Sequence, residues 1–308
     1  MRSDYARIRH YMKRLLIIGC GDVGLRVAML LRPRHRIYAL ARDAERCAAL
    51  RDHGLTPLTG DLDRPATLAG LAGLAHDVIH LAPPPAAGTT DTRTAHLIAA
   101  LGRGRSLPQH FVYISTSGVY GDCSGDLTHE TRPLRPRTDR ARRRADAEQR
   151  LREWGVRSGV CVSILRVPGI YAADRLPVAR IERGTPALLP QDDSYVNHVH
   201  ADDLACMVVA ALHRGQANRS YNASDDAPQK MGDYFDLVAD RFSLPRPPRV
   251  PRAEARAVLP EMLYSFMSES RRLTNSRVKQ ELRVRLRYPT VHEGIAAALA
   301  RQEQRHVR

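Results

Sequence analysis

The sequence predicts an α/β protein with a doubly wound parallel sheet and a smaller C-terminal region packed against it. Two observations predict this. Through the first half, short runs rich in aliphatic and β-branched residues alternate with longer stretches of helical periodicity, and repeated β–α alternation joins parallel strands through crossover helices. A later run, 160–167, is almost continuously apolar, as a strand covered on both faces should be.

The strand candidates in the first half are 15–18, 36–41, 77–81 and 110–114, with a weaker one at 56–60. Helical segments follow each of them: 23–31, 44–53, 65–72, 93–103 and 139–154. After Pro168 the rhythm breaks into shorter pieces: a strand at 195–199, a helix at 201–213, a strand at 219–223 and a helix at 231–242. A proline-rich stretch at 245–251 punctuates the tail, and a last helix spans about 290–302. The domains expected are therefore a sheet domain over 12–167 and a smaller mixed α/β region over 168–308, with a ligand in the cleft between them. Residues 1–11 are polar and patternless and read as a disordered N-terminal extension, and Met12 is as good a start as Met1.

With 308 residues, 43% apolar and 26% charged, the chain can bury a real core, which excludes a disordered protein. No apolar run approaches the roughly 20 residues of a membrane span. The five cysteines, Cys20, Cys47, Cys123, Cys161 and Cys206, are far apart and form no CxxC pair. Unpaired thiols in the reducing cytoplasm are the expectation, rather than a disulfide framework or a metal site.

The net charge of +15 points on its face to a polyanion. Lysine occurs only at Lys13, Lys230 and Lys279, so 45 of the 48 basic residues are arginine, and they are spread along the chain. Aromatics are only 5%, which leaves few stacking platforms for single-stranded nucleic acid and argues against nucleic acid as the partner.

Gly19-Cys20-Gly21-Asp22-Val23-Gly24 follows the first strand directly and opens the first helix. Gly19 permits a tight turn, Gly21 lets a pyrophosphate approach the backbone, and Gly24 lets the helix pack closely on the sheet. The free amides and partial positive charge of the helix N-terminus, at Asp22 and Val23, then face the phosphates. In this strand-to-helix setting the motif predicts dinucleotide binding on a Rossmann fold.

The second strand ends Ala39-Leu40-Ala41-Arg42 without the acidic residue that would hold a ribose 2′-hydroxyl. Arg42 stands where a guanidinium can pair with a 2′-phosphate, which favours NADP over NAD. Asp43 is the counter-argument, unless it caps the next helix. Asp61 and Leu62 close the third unit, beside the adenine, and Leu81, Ala82 and Pro83 follow the fourth strand, where small residues leave room along the cofactor.

Five ordered motifs carry a family resemblance: GCGDVG at 19–24, FVYISTSGVYG at 111–121, HETRPLRP at 129–136, ILRVPGIY at 164–171 and NHVHADDLA at 197–205. The chain resembles the short-chain dehydrogenase/reductases, in their extended branch of NAD-dependent epimerases and dehydratases. Ile18 occupies the first position of the extended glycine pattern, a departure more similar to the atypical branch labelled nucleoside-diphosphate-sugar epimerase.

The resemblance implies a catalytic Ser/Thr, Tyr and Lys. The first falls on Thr116, flanked by Ser115 and Ser117; the Tyr and Lys positions hold Arg140 and Arg144, and the glutamate of the pattern is present as Glu148. A guanidinium offers no dissociable proton near neutrality, so tyrosine-type hydride chemistry is not supported. On a helix, Arg140 and Arg144 share one face a turn apart and can clamp a phosphate or carboxylate, or they belong with Arg142, Arg143 and Arg150 to a solvated face. Tyr120 is a substitute acid/base or a packed aromatic; for Tyr171 and His200 the packed and structural roles are favoured, with Asp203 tying the adjoining helix.

The reading is thus an NADP-binding, epimerase/dehydratase-like oxidoreductase acting on an anionic small molecule. A non-catalytic NADP(H) sensor and a nucleic-acid-associated protein are the alternatives. The resemblance also implies a homodimer through helices 93–103 and 139–154, against which the self-repulsion of the second counts.

Overall fold

The computed structural model describes residues 12–306, and the expected extension at 1–11 lies outside the described residues. The first half runs β1 (Lys13–Ile18), α1 (Asp22–Leu31), β2 (His35–Ala41), α2 (Ala44–Asp52), β3 (Thr56–Thr59), a 3₁₀ helix (Pro65–Leu71) and β4 (Asp77–His80). It continues through α3 (Thr92–Leu101), β5 (His110–Thr116), a 3₁₀ turn (Ser117–Tyr120), β6 (Leu127–Thr128), α4 (Asp139–Ser158) and β7 (Cys161–Val167). The second half opens with β8 (Gly169–Tyr171), α5 (Val178–Glu182), β9 (Ala187–Leu188), β10 (Tyr195–Val196), β11 (His198–His200), α6 (Ala201–Arg214) and β12 (Arg219–Asn222). It ends with β13 (Gln229–Lys230), α7 (Met231–Arg241), β14 (Arg249–Val250), α8 (Arg252–Val258), α9 (Glu261–Met267), β15 (Arg272–Leu273), α10 (Ser276–Gln280) and α11 (Val291–His306).

Seven strands form one sheet in the order β12-β7-β5-β4-β1-β2-β3, and every neighbouring pair is parallel. This is the doubly wound Rossmann arrangement, with its direction of winding reversing between β1 and β4. Successive residues of β1 feed opposite cores: Leu15 and Ile17 pack with α1, α2 and α6, whereas Leu16 and Ile18 pack with α3 and α4. All four side chains are buried, each contributing about 2 kcal/mol of transfer free energy.

Two expected elements differ from the observed ones. The segment 65–72 is 3₁₀ rather than α-helical. Pro65 sits at its start, and the Thr67 hydroxyl donates to the carbonyls of Asp61 and Arg64, so the turn is tight from the outset. The single strand expected at 195–199 is two. β10 pairs antiparallel with β13 and β11 pairs parallel with β8. Asn197 separates them, its amide donating to the Arg271 carbonyl (2.9 Å) and its side-chain oxygen accepting from the Leu273 amide (2.8 Å).

The chain beyond 168 does not stay on its own side. β12 is the edge strand of the main sheet, in register Arg219 to Ser163 through Asn222 to Arg166, and α6 packs on α1. A buried, two-faced strand such as β7 needs a neighbour for its backbone and a helix for its apolar face, and the later segment supplies both. The remaining pieces gather around a third apolar cluster, built from α5, α7, α8, α9 and α11.

A buried polar network fastens these layers together at the carboxyl ends of the central strands. Glu148 of α4 is 1% exposed and takes a two-pronged bond from Arg166 of β7, Nη2 to Oε2 at 2.8 Å and Nε to Oε1 at 3.1 Å. It also accepts from the Ser115 hydroxyl at 2.6 Å. Arg166 donates further to the Tyr120 oxygen (2.9 Å) and the Glu130 carbonyl (3.0 Å). Removing one partner of a buried pair leaves an uncompensated charge, so Glu148→Gln is expected to cost about 3 kcal/mol or more in urea unfolding. Glu148→Leu combined with Arg166→Met should cost less than the single change.

Candidate active site

The glycine-rich turn lies where the winding reverses. The Leu81 and Ala82 amides both donate to the Ile18 carbonyl, at 2.7 and 3.1 Å, and draw the end of β4 onto the end of β1. Gly19 adopts φ +83°, and a Cβ there would stand 2.4 Å from the Ala82 nitrogen, so glycine is required twice over. A Cβ on Gly21 would meet nothing within 4 Å. That open space lies over the first turn of α1, whose N-cap is Gly21 with no capping side chain, so the leading amides, Asp22 to Gly24, face outward unmatched. Gly24 packs against the Gly19 carbonyl and Leu81, each 3.2 Å from a would-be Cβ. This cradle fits a dinucleotide pyrophosphate.

Around it, Asp22 is held by Arg26 (2.9 Å) and Arg175 (3.3 Å). Arg42 is exposed at the end of β2, and Asp43 caps α2 by accepting from the Arg46 amide at 2.7 Å. Arg46, which sequence reasoning missed, lays its guanidinium on the Cys20 carbonyl within the turn. Asp61 accepts from the Asp63 amide (3.0 Å), Leu62 and Ala82 are buried, and Pro83 opens onto a cavity.

This cavity, about 550 Å³, lies beyond the carboxyl ends of β4, β5 and β7. Thr116, Arg140 and Arg144 all line it. Thr116 ends β5 and accepts from the Gly118 amide at 3.2 Å. α4 is capped by Thr138 and stopped by Gly159 in the left-handed conformation. The i, i+3, i+4 spacing of its first turns brings Arg140, Arg143 and Arg144 to the cavity, while Arg142 and Arg150 are paired elsewhere with Asp139 and Asp146.

The two key arginines differ. Arg144 is committed to the protein: it donates to the Ile114 carbonyl (2.8 Å), the Tyr113 hydroxyl (3.0 Å) and the Ala82 carbonyl (3.3 Å). Its charge, after burial itself, pushes the pKa of His80 down to about 3. Arg140 has no hydrogen bond or ion pair among the described residues and rests 4.4 Å over the Phe266 ring of α9. Burial, and then Arg144 and Arg143, lower its hold on its proton, with Glu269 opposing.

Tyr120 is not brought to the cavity. It is 1% exposed, donates to Asn222 Oδ1 at 2.7 Å, and burial pushes its pKa up to about 12, so it keeps its proton at neutrality. Tyr171 is buried and donates to the Thr290 carbonyl (3.2 Å). His200 caps α6 by accepting from the Asp202 amide (3.1 Å). Asp203 accepts from the Arg287 and Tyr288 amides, tying α6 to the C-terminal segment. Sequence reasoning also missed Arg143, His198, Phe266, Glu269 and Arg271 in the cavity wall. Glu269 takes both Arg271 donors on Oε2, 2.8 Å each, while its buried Oε1 has no partner and burial raises its pKa.

A parallel seven-stranded sheet with a glycine-rich turn at its switch point and a cavity beside it defines a nucleotide-binding Rossmann protein. The profile described as the NAD dependent epimerase/dehydratase family matches residues 16–224, and the chain belongs to that family. A conserved Silicibacter pomeroyi protein of unknown function is 29% identical, with a TM-score of 0.78 over 94% of this chain and 99% of that one. At 15% identity and a TM-score of 0.76, covering 95% and 99%, the UDP-glucose 4-epimerase of Thermotoga maritima, solved with UDP-glucose, shares the fold. So does RMD from Pseudomonas aeruginosa, solved with NADPH, at 21% identity and a TM-score of 0.70 over 95% and 99%. A trifunctional UDP-glucose 4,6-dehydratase, epimerase and reductase of Arabidopsis thaliana is 24% identical over 147 residues, 44% of this chain. The match spans only 22% of that curated relative's length.

The two glycines separate folding from binding. Gly19→Ala should destabilise the protein by about 2 kcal/mol or more, from its backbone clash and left-handed strain. Gly21→Ala should lower the melting temperature only slightly, as a weaker N-cap, yet abolish the rise expected when a nicotinamide dinucleotide is added, both read by thermal unfolding.

Proposed function

We propose that the protein is an NADP-binding, epimerase/dehydratase-like oxidoreductase acting on an anionic small molecule of the nucleotide-sugar kind, with a site that lacks the Tyr-xxx-Lys pair. The observation that carries this reading is the arginine-lined cavity opening beside the glycine-rich cradle. The chain's family, and the UDP-glucose and NADPH with which two of its structural neighbours were solved, support the general kind of ligand.

In this reading residues 12–167 hold most of the cofactor and 168–308 close over the substrate. When bound, the nicotinamide supplies a hydride donor or acceptor. The α1 amides at Asp22, Val23 and Gly24 hold the pyrophosphate, and Asp61, Leu62, Leu81, Ala82 and Pro83 line its path. NADP is preferred because Asp43 is occupied as a helix cap, leaving Arg42, with Arg46 behind it, to face a 2′-phosphate. Thr116 orients a substrate oxygen through its hydroxyl, whose own oxygen is braced by the Gly118 amide. Arg140 holds the anionic group, and Arg144 braces the junction of β4 and β5 and contributes its charge.

A second reading, a non-catalytic NADP(H)-binding sensor, is favoured by one specific observation. Both positions of the catalytic pair carry guanidiniums, and the nearest alternative, Tyr120, is locked to Asn222.

Two measurements test these readings. Arg42→Ala should weaken NADP⁺ about tenfold and leave NAD⁺ unchanged in calorimetric titration, since one charge-assisted pair is worth roughly 1.5–3 kcal/mol. Equal loss for both dinucleotides would remove the 2′-phosphate assignment. A screen of nicotinamide absorbance change with nucleotide sugars should then show turnover that falls at least about tenfold in Thr116→Ala, the scale of a general orienting contact. Dinucleotide binding with no turnover on any of them would select the sensor.

A further inference from the structure

We infer that His198 reads a hydroxyl or carbonyl oxygen of the ligand in this cavity, while Arg140 takes its anionic group, so that the ligand is a hydroxylated anion. The inference rests on the proposed function and adds a specificity residue to it.

Four histidines are buried among the described residues: His35, His80, His198 and His200. His35 bonds the Leu31 carbonyl (3.2 Å), His80 the Thr94 hydroxyl (3.1 Å) and His200 the Asp202 amide (3.1 Å). His198 makes no hydrogen bond from either ring nitrogen among the described residues, and its Nδ1 is fully enclosed. Its ring is nonetheless well fixed, 4.2 Å from the Tyr234 ring and edge-on to Tyr171 at 6.3 Å, and it lines the cavity. The adjacent Asn197, by contrast, bonds Arg271 through its amide nitrogen and Leu273 through its amide oxygen.

A buried polar group without a partner lowers stability, and an apolar ring of the same shape would pack as well against Tyr234. What the imidazole adds on the cavity wall is Nε2, Nδ1 being enclosed, and by tautomer that nitrogen either gives or accepts one bond. Burial keeps the ring neutral, with its pKa pushed down to about 4, so it suits a neutral hydroxyl or carbonyl better than a phosphate or carboxylate. The anion falls instead to Arg140, the cavity arginine with no polar partner among the described residues, held only against Phe266.

The test uses the full chain loaded with NADP⁺ and pairs of probes differing by a sugar: UDP against UDP-glucose, and inorganic phosphate against glucose 1-phosphate. The wild type should bind the sugar-bearing member of at least one pair about tenfold more tightly, the worth of one well-made hydrogen bond with its partner otherwise orphaned. His198→Phe should lose that preference, keep the affinity for UDP or phosphate, and raise the melting temperature of the free protein by a few degrees. His198→Gln, which retains a donor and an acceptor, should keep part of the preference, and Arg140→Gln should weaken both members of a pair alike.

An unchanged preference in His198→Phe, a lowered melting temperature, or a wild type that binds none of the probes overturns the inference. Each of these outcomes with the NADP⁺-induced rise in melting temperature intact leaves the cofactor reading standing. Loss of that rise in the wild type strikes the functional reading itself.

Discussion

The position of α4 depends on one buried carboxylate. Glu148 is 1% exposed, and its carboxylate oxygens are met by two parallel bonds from Arg166 and a third from Ser115. Those partners belong to β7 and β5, so the helix is tied to the carboxyl ends of two central strands, where Arg144 adds its bond to the Ile114 carbonyl. Fixed in this way, its first two turns carry Arg140, Arg143 and Arg144 to the cavity. The same arginine of β7 grips Tyr120 and the Glu130 carbonyl, and Tyr120 in turn grips Asn222 of β12. The residues nearest the place of chemistry are thus held by an electrostatic clasp behind it.

The charge of the chain takes a different meaning beside these contacts. Several of its arginines donate to backbone carbonyls far away in the chain: Arg46 to Cys20, Arg93 to Pro83, Arg214 to Leu282, Arg252 to Met267, Arg272 to Gly125, Arg277 to Ser220. A planar guanidinium can satisfy several acceptors at once, and irregular backbone leaves many acceptors to satisfy. Part of the positive charge thus serves to fasten distant backbone segments. Among the cavity arginines Arg140 stands apart because it makes no hydrogen bond or ion pair among the described residues and rests on the Phe266 ring.

The main sheet was legible in the sequence because its order follows local patterns. Leu15 to Ile18 announces a two-faced strand, and the three glycines of the turn announce a tight passage into a closely packed helix. Asp43 as a cap, the alignment of Arg140 with Arg144, and the capping role of His200 were legible for the same reason, since each depends on neighbours a few residues away. The 3₁₀ character of 65–71 escaped although it is local, since it depends on a threonine hydroxyl bending back to Asp61. The rest of what escaped is long-range. The split at Asn197 depends on Arg271 and Leu273. Tyr120 lies in a turn whose sequence places it at the cleft, and only its bond to Asn222, a hundred residues on, turns it inward. In the far wall of the cavity His198 lies within a motif that does not mark it for the site, while Phe266, Glu269 and Arg271 carry no motif and reach the cavity only as Phe266 of α9 comes to lie over Arg140 of α4.

The capture of β12 by β7 has a consequence for how the protein is made. During synthesis β1 through β7 emerge long before Asn222, so for some fifty residues the nascent sheet ends in a strand whose outer edge and Arg166-bearing face await a partner not yet translated. An unpaired, apolar edge strand is a template for adventitious association. The chain therefore completes its native sheet only once Arg219–Asn222 has emerged and paired with Cys161–Val167.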